Sequence, residues 1–385
     1  MSIERTKAFV SSLTLATGVA LWLSTPAEAQ QYKRTDLVSD LAGATFQDAH
    51  LVNPWGLSRS STSPWWSADN GTGLSTLYDG TGKAQALVVT IPPAAGGTTG
   101  VPTGTVFNGT TDFKLPNGNP ARFLFVTEDG TISGWNGGTQ AIVMSTDKDA
   151  VYKGAAIATL DGANYLYVAN FTGRRVDVFD ATFQRVKSGH GGHGSSWEDS
   201  GDGHDGHDGH DGHDDHDSFK DDQLPKGFSP FNVQNIGGSL YVAFAKVEPG
   251  GTDEVQGAGL GYVDVFSPSG RLLRRFEHGP WLNAPWGLAL APGDFGAFSH
   301  NLLVGQFGSG EVAAYDVASG RFVGTMLDPT GAALSIDGLW ALSFGNGATA
   351  GPLNTLYFTA GINDEANGLF GSLTSVSAAP LGNGQ

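Results

Sequence analysis

The densest group of metal-ligating side chains lies in residues 188–222, where His190, His193, His204, His207, His210, His213 and His216 make up seven of the chain's ten histidines. Asp205, Asp208 and Asp211 fall between them in a repeated His-Asp-Gly triplet. Imidazole nitrogens suit Zn²⁺, Ni²⁺ and Cu²⁺, and a neighbouring carboxylate orients the ring and raises its basicity. The segment is therefore predicted to capture Zn²⁺ or Ni²⁺ through alternative ligand sets, and to release them as protons compete near the ordinary histidine pKa of about 6.5. A three-residue period without apolar members specifies neither a core nor an amphipathic helix, so a disordered, hydrophilic insertion is expected. Calcium suits it poorly, because imidazole is a weak ligand for a hard ion.

A second set consists of oxygens: Asp69, Glu128, Asn170, Asn363 and Asp364, each placed just after an apolar strand-like run. Converging carboxylate and amide oxygens can hold Ca²⁺, which takes six to eight of them at about 2.3–2.6 Å. An ion so held can polarise an electrophile while a carboxylate activates water, the chemistry of a lactonase or phosphoesterase. Asp129-Gly130 and Asn70-Gly71 also read as ordinary turns. No Gly-x-Ser-x-Gly elbow, His-Glu-x-x-His pair or Gly-x-Gly-x-x-Gly strand-to-helix turn occurs, and no cysteine is present for thiol chemistry. A binding or interaction protein, with an unknown small molecule, glycan or protein as partner, is the leading expectation, and a divalent-metal-dependent hydrolase is the alternative.

The elements that must position these residues repeat one plan. Strands are predicted at Trp65–Ala68, Phe123–Val126, Tyr165–Ala169, Leu240–Phe244, Asn301–Gly305 and Thr355–Thr359, each followed by another strand and several by a turn such as Tyr78-Asp79-Gly80-Thr81-Gly82. First strands echo one another in Asn53-Pro54-Trp55-Gly56-Leu57, Ala284-Pro285-Trp286-Gly287-Leu288 and, more loosely, Asp337-Gly338-Leu339-Trp340-Ala341-Leu342. Their tryptophans can stack on a sugar or pack between blades. Repetition of a four-stranded unit predicts an all-β, six-bladed β-propeller over residues 30–376. The sixth unit lacks a strand, and Tyr32–Val38 is predicted to supply it and close the ring. Pro92–Gly104 and Glu248–Gly261 read as loops. Strand alternation puts the oxygen set at one mouth of the central channel and the histidine segment in the link between blades 3 and 4.

Arg5 and Lys7, the apolar run Ala8–Leu23 and the small residues before Gln30 predict a signal peptide at 1–29, hence export to the periplasm or external medium. Residues 377–385 read as a flexible tail, and no integral membrane segment is expected in the mature chain. A net charge of -17 argues against nucleic acid as a partner, and 57 glycines fit many tight turns better than helices.

Asn53-Pro54-Trp55-Gly56-Leu57, the pairing of Tyr167-Val168-Ala169-Asn170 with Val176-Asp177-Val178-Phe179-Asp180, and Gly261-Tyr262-Val263-Asp264-Val265-Phe266 resemble the NHL-type and lactonase-like propellers. From Tyr32 to about Val376 the chain is similar to a family of secreted bacterial proteins known only as conserved hypotheticals. Some of those carry a C-terminal sorting tail that this chain lacks, which implies release. The lactonase-like resemblance implies a central calcium held by acidic and amide side chains, with no ligand assigned residue by residue.

Overall fold

The computed structural model describes residues 31–186 and 219–376. The expected signal peptide, the histidine-rich insertion up to residue 218 and the tail 377–385 lie outside the described residues.

Alternating apolar runs joined by Asp- and Gly-rich turns form six sheets arranged as the blades of a propeller. Counted from the axis outward, blade 1 starts with Pro54–Ser58, blade 2 with Pro102–Phe107 and blade 3 with Tyr152–Leu160. Blades 4, 5 and 6 start with Phe228–Ile236, Pro285–Leu290 and Leu339–Phe344. Each of these inner strands contacts the next, and Leu339–Phe344 returns to Pro54–Ser58, which closes the ring. Apolar faces of adjacent blades supply the core, as where Tyr167 and Val233 or Leu303 and Phe358 share one buried cluster.

The expected closure is present. Tyr32–Ser39 pairs antiparallel with Leu369–Ser375, from Tyr32 opposite Ser375 to Ser39 opposite Leu369. Tyr32 is anchored beyond its own sheet: its hydroxyl donates to the Phe295 carbonyl at 3.0 Å and accepts from the Phe298 amide at 3.3 Å. A short fifth strand, Phe46–Gln47, lies parallel to it and caps the edge.

The turn chemistry is also as expected. In Asp79, Asp180 and Asp328 one side-chain oxygen accepts the backbone amides two and four residues on, which closes each hairpin without help from a partner strand.

Elsewhere the structure departs from the sequence reading. Pro92–Gly104 is only partly a loop, since its last residues enter the inner strand of blade 2, and Glu248–Gly261 contains the strand Glu254–Val255, paired with Lys246–Val247. The third strand of blade 1 divides into Leu74–Ser75 and Leu77–Tyr78 because the Thr76 amide turns to Asp69 instead of the ladder. Of the fourth strand expected in blade 3 at residues 184–187, the described residues form one isolated bridge, Phe179 with Arg185.

Candidate functional site

All six inner strands break register with their neighbours near their first residues, between Pro54 and Leu57, Pro102 and Thr105, Tyr152 and Gly154, Pro230 and Asn232, Pro285 and Leu288, and Leu339 and Leu342. A bulge frees one residue from the ladder and re-aims it. The first residue inside each break is, in chain order, Trp55, Thr103, Lys153, Phe231, Trp286 and Trp340. A small residue after the bulge lets the strands crowd together: a Cβ on Gly56 would lie 2.5 Å from the Thr103 carbonyl oxygen, and one on Gly287 2.6 Å from that of Trp340.

Four of the six residues make an aromatic plug. Trp340, fully buried, stacks on Trp55 at 3.5 Å and on Phe307 at 4.0 Å, while Trp286 and Phe231 meet it edge-on or tilted. On one side of the plug the inner strands leave a cavity of about 30 Å³ bordered by Gly56, Gly104, Asn232 and Ser343. That is room for about one water molecule.

The fifth residue, Lys153, carries a charge. Only 1% of it is exposed, yet its Nζ lies 2.6 Å from Glu128 Oε1 and 3.3 Å from Asp253 Oδ1, and 4.8 Å from the centre of the Trp55 ring. Glu128 comes from the turn after the second strand of blade 2, and Asp253 and Glu254 from the long excursion of blade 4. Asn70 donates to Glu128 at 2.8 Å. Asn53 donates to Glu365 at 3.3 Å and accepts from the Trp340 indole at 3.1 Å, which ties rim to floor. Glu365 arrives through three successive residues in the left-handed region, Asn363, Asp364 and Glu365, at φ 58°, 53° and 63°. Non-glycine residues adopt that conformation rarely.

The electrostatics follow from one cation among four carboxylates. Burial works against the charge on Lys153, but Glu128, Glu254 and Asp253 outweigh it and hold its pKa above the ordinary lysine value. Glu254 is pushed up to about 7 by burial, with Lys153 pulling down and Glu365 and Asp253 pushing up. Glu365 is raised by burial and by Glu128. At neutral pH the mouth thus carries surplus negative charge and a carboxyl poised to exchange a proton.

No family model matches the chain. Among curated proteins it is 30% identical over 341 residues to "Uncharacterized protein R648" of Acanthamoeba polyphaga mimivirus, covering 86% of this chain and 76% of that one. It is 32% identical over 337 residues to "Uncharacterized protein L690" of the same virus, covering 85% and 81%. The chain belongs to the family of these two proteins. The relatives of the family found are therefore viral, where the sequence resemblance pointed to secreted bacterial proteins. Among solved structures, a streptogramin B lyase covers 91% of this chain and 100% of its own at 11% identity and a TM-score of 0.49. A glucose dehydrogenase covers 89% and 100% at 12% identity and the same TM-score of 0.49.

In this member of the family, one residue of the expected oxygen set, Glu128, reaches the charged rim. Asp69 is fully buried and accepts from Ser67 at 2.7 Å and from the Thr76 amide and hydroxyl at 3.0 and 2.7 Å. Asn170 donates to Asp177 at 2.7 Å and accepts from the Gly173 amide at 2.8 Å. Asn363 and Asp364 are exposed, Asn363 bonding Asp337 and Asn367. These five do not converge, and Glu128 already faces an ammonium, so they do not fit a shared calcium. Among the described residues no three His, Asp or Glu are grouped as a metal site.

Lys153 escaped the sequence reading, although Tyr152-Lys153-Gly154 aligns with Pro54-Trp55-Gly56 on its glycine. Glu365 directly follows Asn363 and Asp364, the pair to which the sequence pattern points.

Proposed function

We propose that the protein is an exported binding propeller whose channel mouth takes a small ligand, or a protruding side chain, bearing an amine or guanidinium. The observation that carries this reading is the imbalance at the mouth: Glu128, Asp253, Glu254 and Glu365 surround one lysine. An organic cation arriving from outside can donate charge-assisted hydrogen bonds to these carboxylates, while the aromatic plug closes the floor. Export rests on the charged and apolar start of the chain, and no helix among the described residues is long and apolar enough to cross a membrane.

Titration calorimetry with agmatine as the probe tests this. We expect saturable binding at pH 8, weakened about ten- to hundredfold per carboxylate in Glu254→Gln and Glu365→Gln, as loss of a charge-assisted bond of roughly 1.5–3 kcal/mol implies. Asp161→Asn and Asp316→Asn, exposed at the strand ends of blades 3 and 5 away from the mouth, should leave it unchanged. Equal losses in both sets would mean that only the acidic surface is being sensed. Affinity should also fall as pH drops below about 7, where Glu254 takes up its proton.

Metal-dependent hydrolysis at the mouth has less support, because the expected oxygens do not converge there and Glu128 is paired with Lys153. The histidine-rich segment keeps a separate role in this reading, capture of Zn²⁺ or Ni²⁺, supported by the seven histidines of its sequence. Deleting residues 189–218 should abolish most of the Zn²⁺ bound in titration calorimetry; unchanged stoichiometry and affinity would end that idea.

A further inference from the structure

At the end of blade 2 opposite the charged mouth, the loops enclose an open cleft of about 670 Å³. Glu128 follows the second strand of that blade, Phe123–Thr127, and Arg122 precedes it, so roughly 20 Å of extended chain separates the two ends. Four asparagines and one arginine border the cleft, and no carboxylate does, in a chain with 38 acidic and 21 basic residues. Register explains the grouping. Phe123 pairs with Phe107 on one side and Trp135 on the other, so the next position outward sets Asn108, Arg122 and Asn136 in one row on one face. The Asn108 amide donates to the Arg122 carbonyl at 2.8 Å, and the Arg122 amide to the Trp135 carbonyl at 2.7 Å.

The frame of the cleft is held by its own amides. Asn108 donates to the Asp112 and Ala121 carbonyls at 3.0 and 2.8 Å and accepts from Thr110. Asn117 and Asn136 bond each other at 3.1 and 3.2 Å, which ties the two loops. The Asn119 amide and the Arg122 guanidinium, both exposed, are left without a side-chain hydrogen bond or ion pair among the described residues. An amide offers donors and an acceptor, which suits a surface of hydroxyls. A guanidinium takes a carboxylate through two parallel bonds, and half-buried Phe107 adds a ring for the apolar face of a sugar. A single cation in a molecule of net charge -17 gives little hold on a polyphosphate. It suits sparse charge among many hydroxyls.

We infer that this cleft binds a sugar chain bearing carboxylates, a uronate glycan, with Arg122 on a carboxylate and Asn119 on hydroxyls. The site lies apart from the mouth and stands whether or not an organic cation binds there. Titration calorimetry of the full chain at fixed ionic strength tests it, with trigalacturonate and the neutral galactose trisaccharide of the same linkage as probes. Wild type should bind the acidic sugar saturably and at least about tenfold tighter than the neutral one. Arg122→Gln should remove that preference by weakening the acidic sugar about ten- to hundredfold. Asn119→Ala should weaken both sugars alike, by about fivefold. Arg271→Gln, at an exposed arginine of blade 4, should change neither. The inference is overturned if wild type fails to bind trigalacturonate, binds both sugars equally, or keeps its preference in Arg122→Gln. A loss in Arg271→Gln as large as in Arg122→Gln would overturn it too, since any surface cation would then serve.

Discussion

At the scale of single residues, the mouth is a balance between a charge and the groups that make its burial tolerable. Lys153→Met removes the ammonium from its carboxylates and should destabilise the fold by roughly 1–3 kcal/mol in urea denaturation. That is less than a fully buried pair would lose, because Glu128 and Asp253 keep 26% and 63% of their side chains exposed. Trp340→Ala removes the ring packed against both Trp55 and Phe307. It should cost about 3–5 kcal/mol by the same measurement; a loss near zero would mean that the plug is not packed as described. The tryptophans were legible in the sequence because three of them sit in a repeated phrase. Lys153 was not, because a lysine in a strand reads as solvent-facing until a bulge and a ring of acids give it a buried place. Asp69 was misplaced for the converse reason. An Asp before Asn-Gly looks like a turn residue at the mouth, whereas here it folds back to Ser67 and Thr76 and clamps its own sheet.

At the scale of elements, closeness of the inner strands decides what each position tolerates. Gly56→Val places a branched side chain where even a Cβ would meet Thr103 backbone at 2.5 Å. We expect a loss of about 1–3 kcal/mol in urea denaturation. Gly137→Ala, with nothing within 4 Å of the added Cβ, should change little. Strand identity was readable because apolar runs and Asp-Gly turns obey local rules. The inner strand of blade 3 and the short strand Glu254–Val255 were hidden, since the first lacks the Pro-Trp-Gly phrase and the second is paired only through the tertiary excursion of blade 4.

At the scale of the whole molecule, the chain's two ends share one blade. Removing residues 31–39 strips blade 6 of Tyr32–Ser39 and unties Tyr32 from Phe295 and Phe298. The expected result is a lower midpoint for one cooperative transition of the entire ring, seen by circular dichroism; loss confined to a minor early transition would show that closure is dispensable.

The charge distribution makes a second global prediction. Burial pushes Asp69, Glu254 and Asp264 up to about 7 each. The folded state therefore binds more protons than the unfolded chain between their ordinary range and about 7, and stability should fall as pH rises through that window. Asp316 and Asp328 work oppositely: hydrogen bonds from Ser319 and Thr330 hold them below their ordinary value, so their contribution is lost as pH falls through the acid range. The melting temperature should accordingly peak at mildly acidic pH and decline toward about pH 8.

The account depends most on Lys153 being a charged member of the mouth. Following its ¹³Cε resonance, assigned by its disappearance in Lys153→Arg, through alkaline titration measures that charge directly. We predict a midpoint above the ordinary lysine value of 10.5, lowered in Glu128→Gln. A midpoint below 10.5 that ignores Glu128→Gln would contradict the charged mouth and the readings built on it.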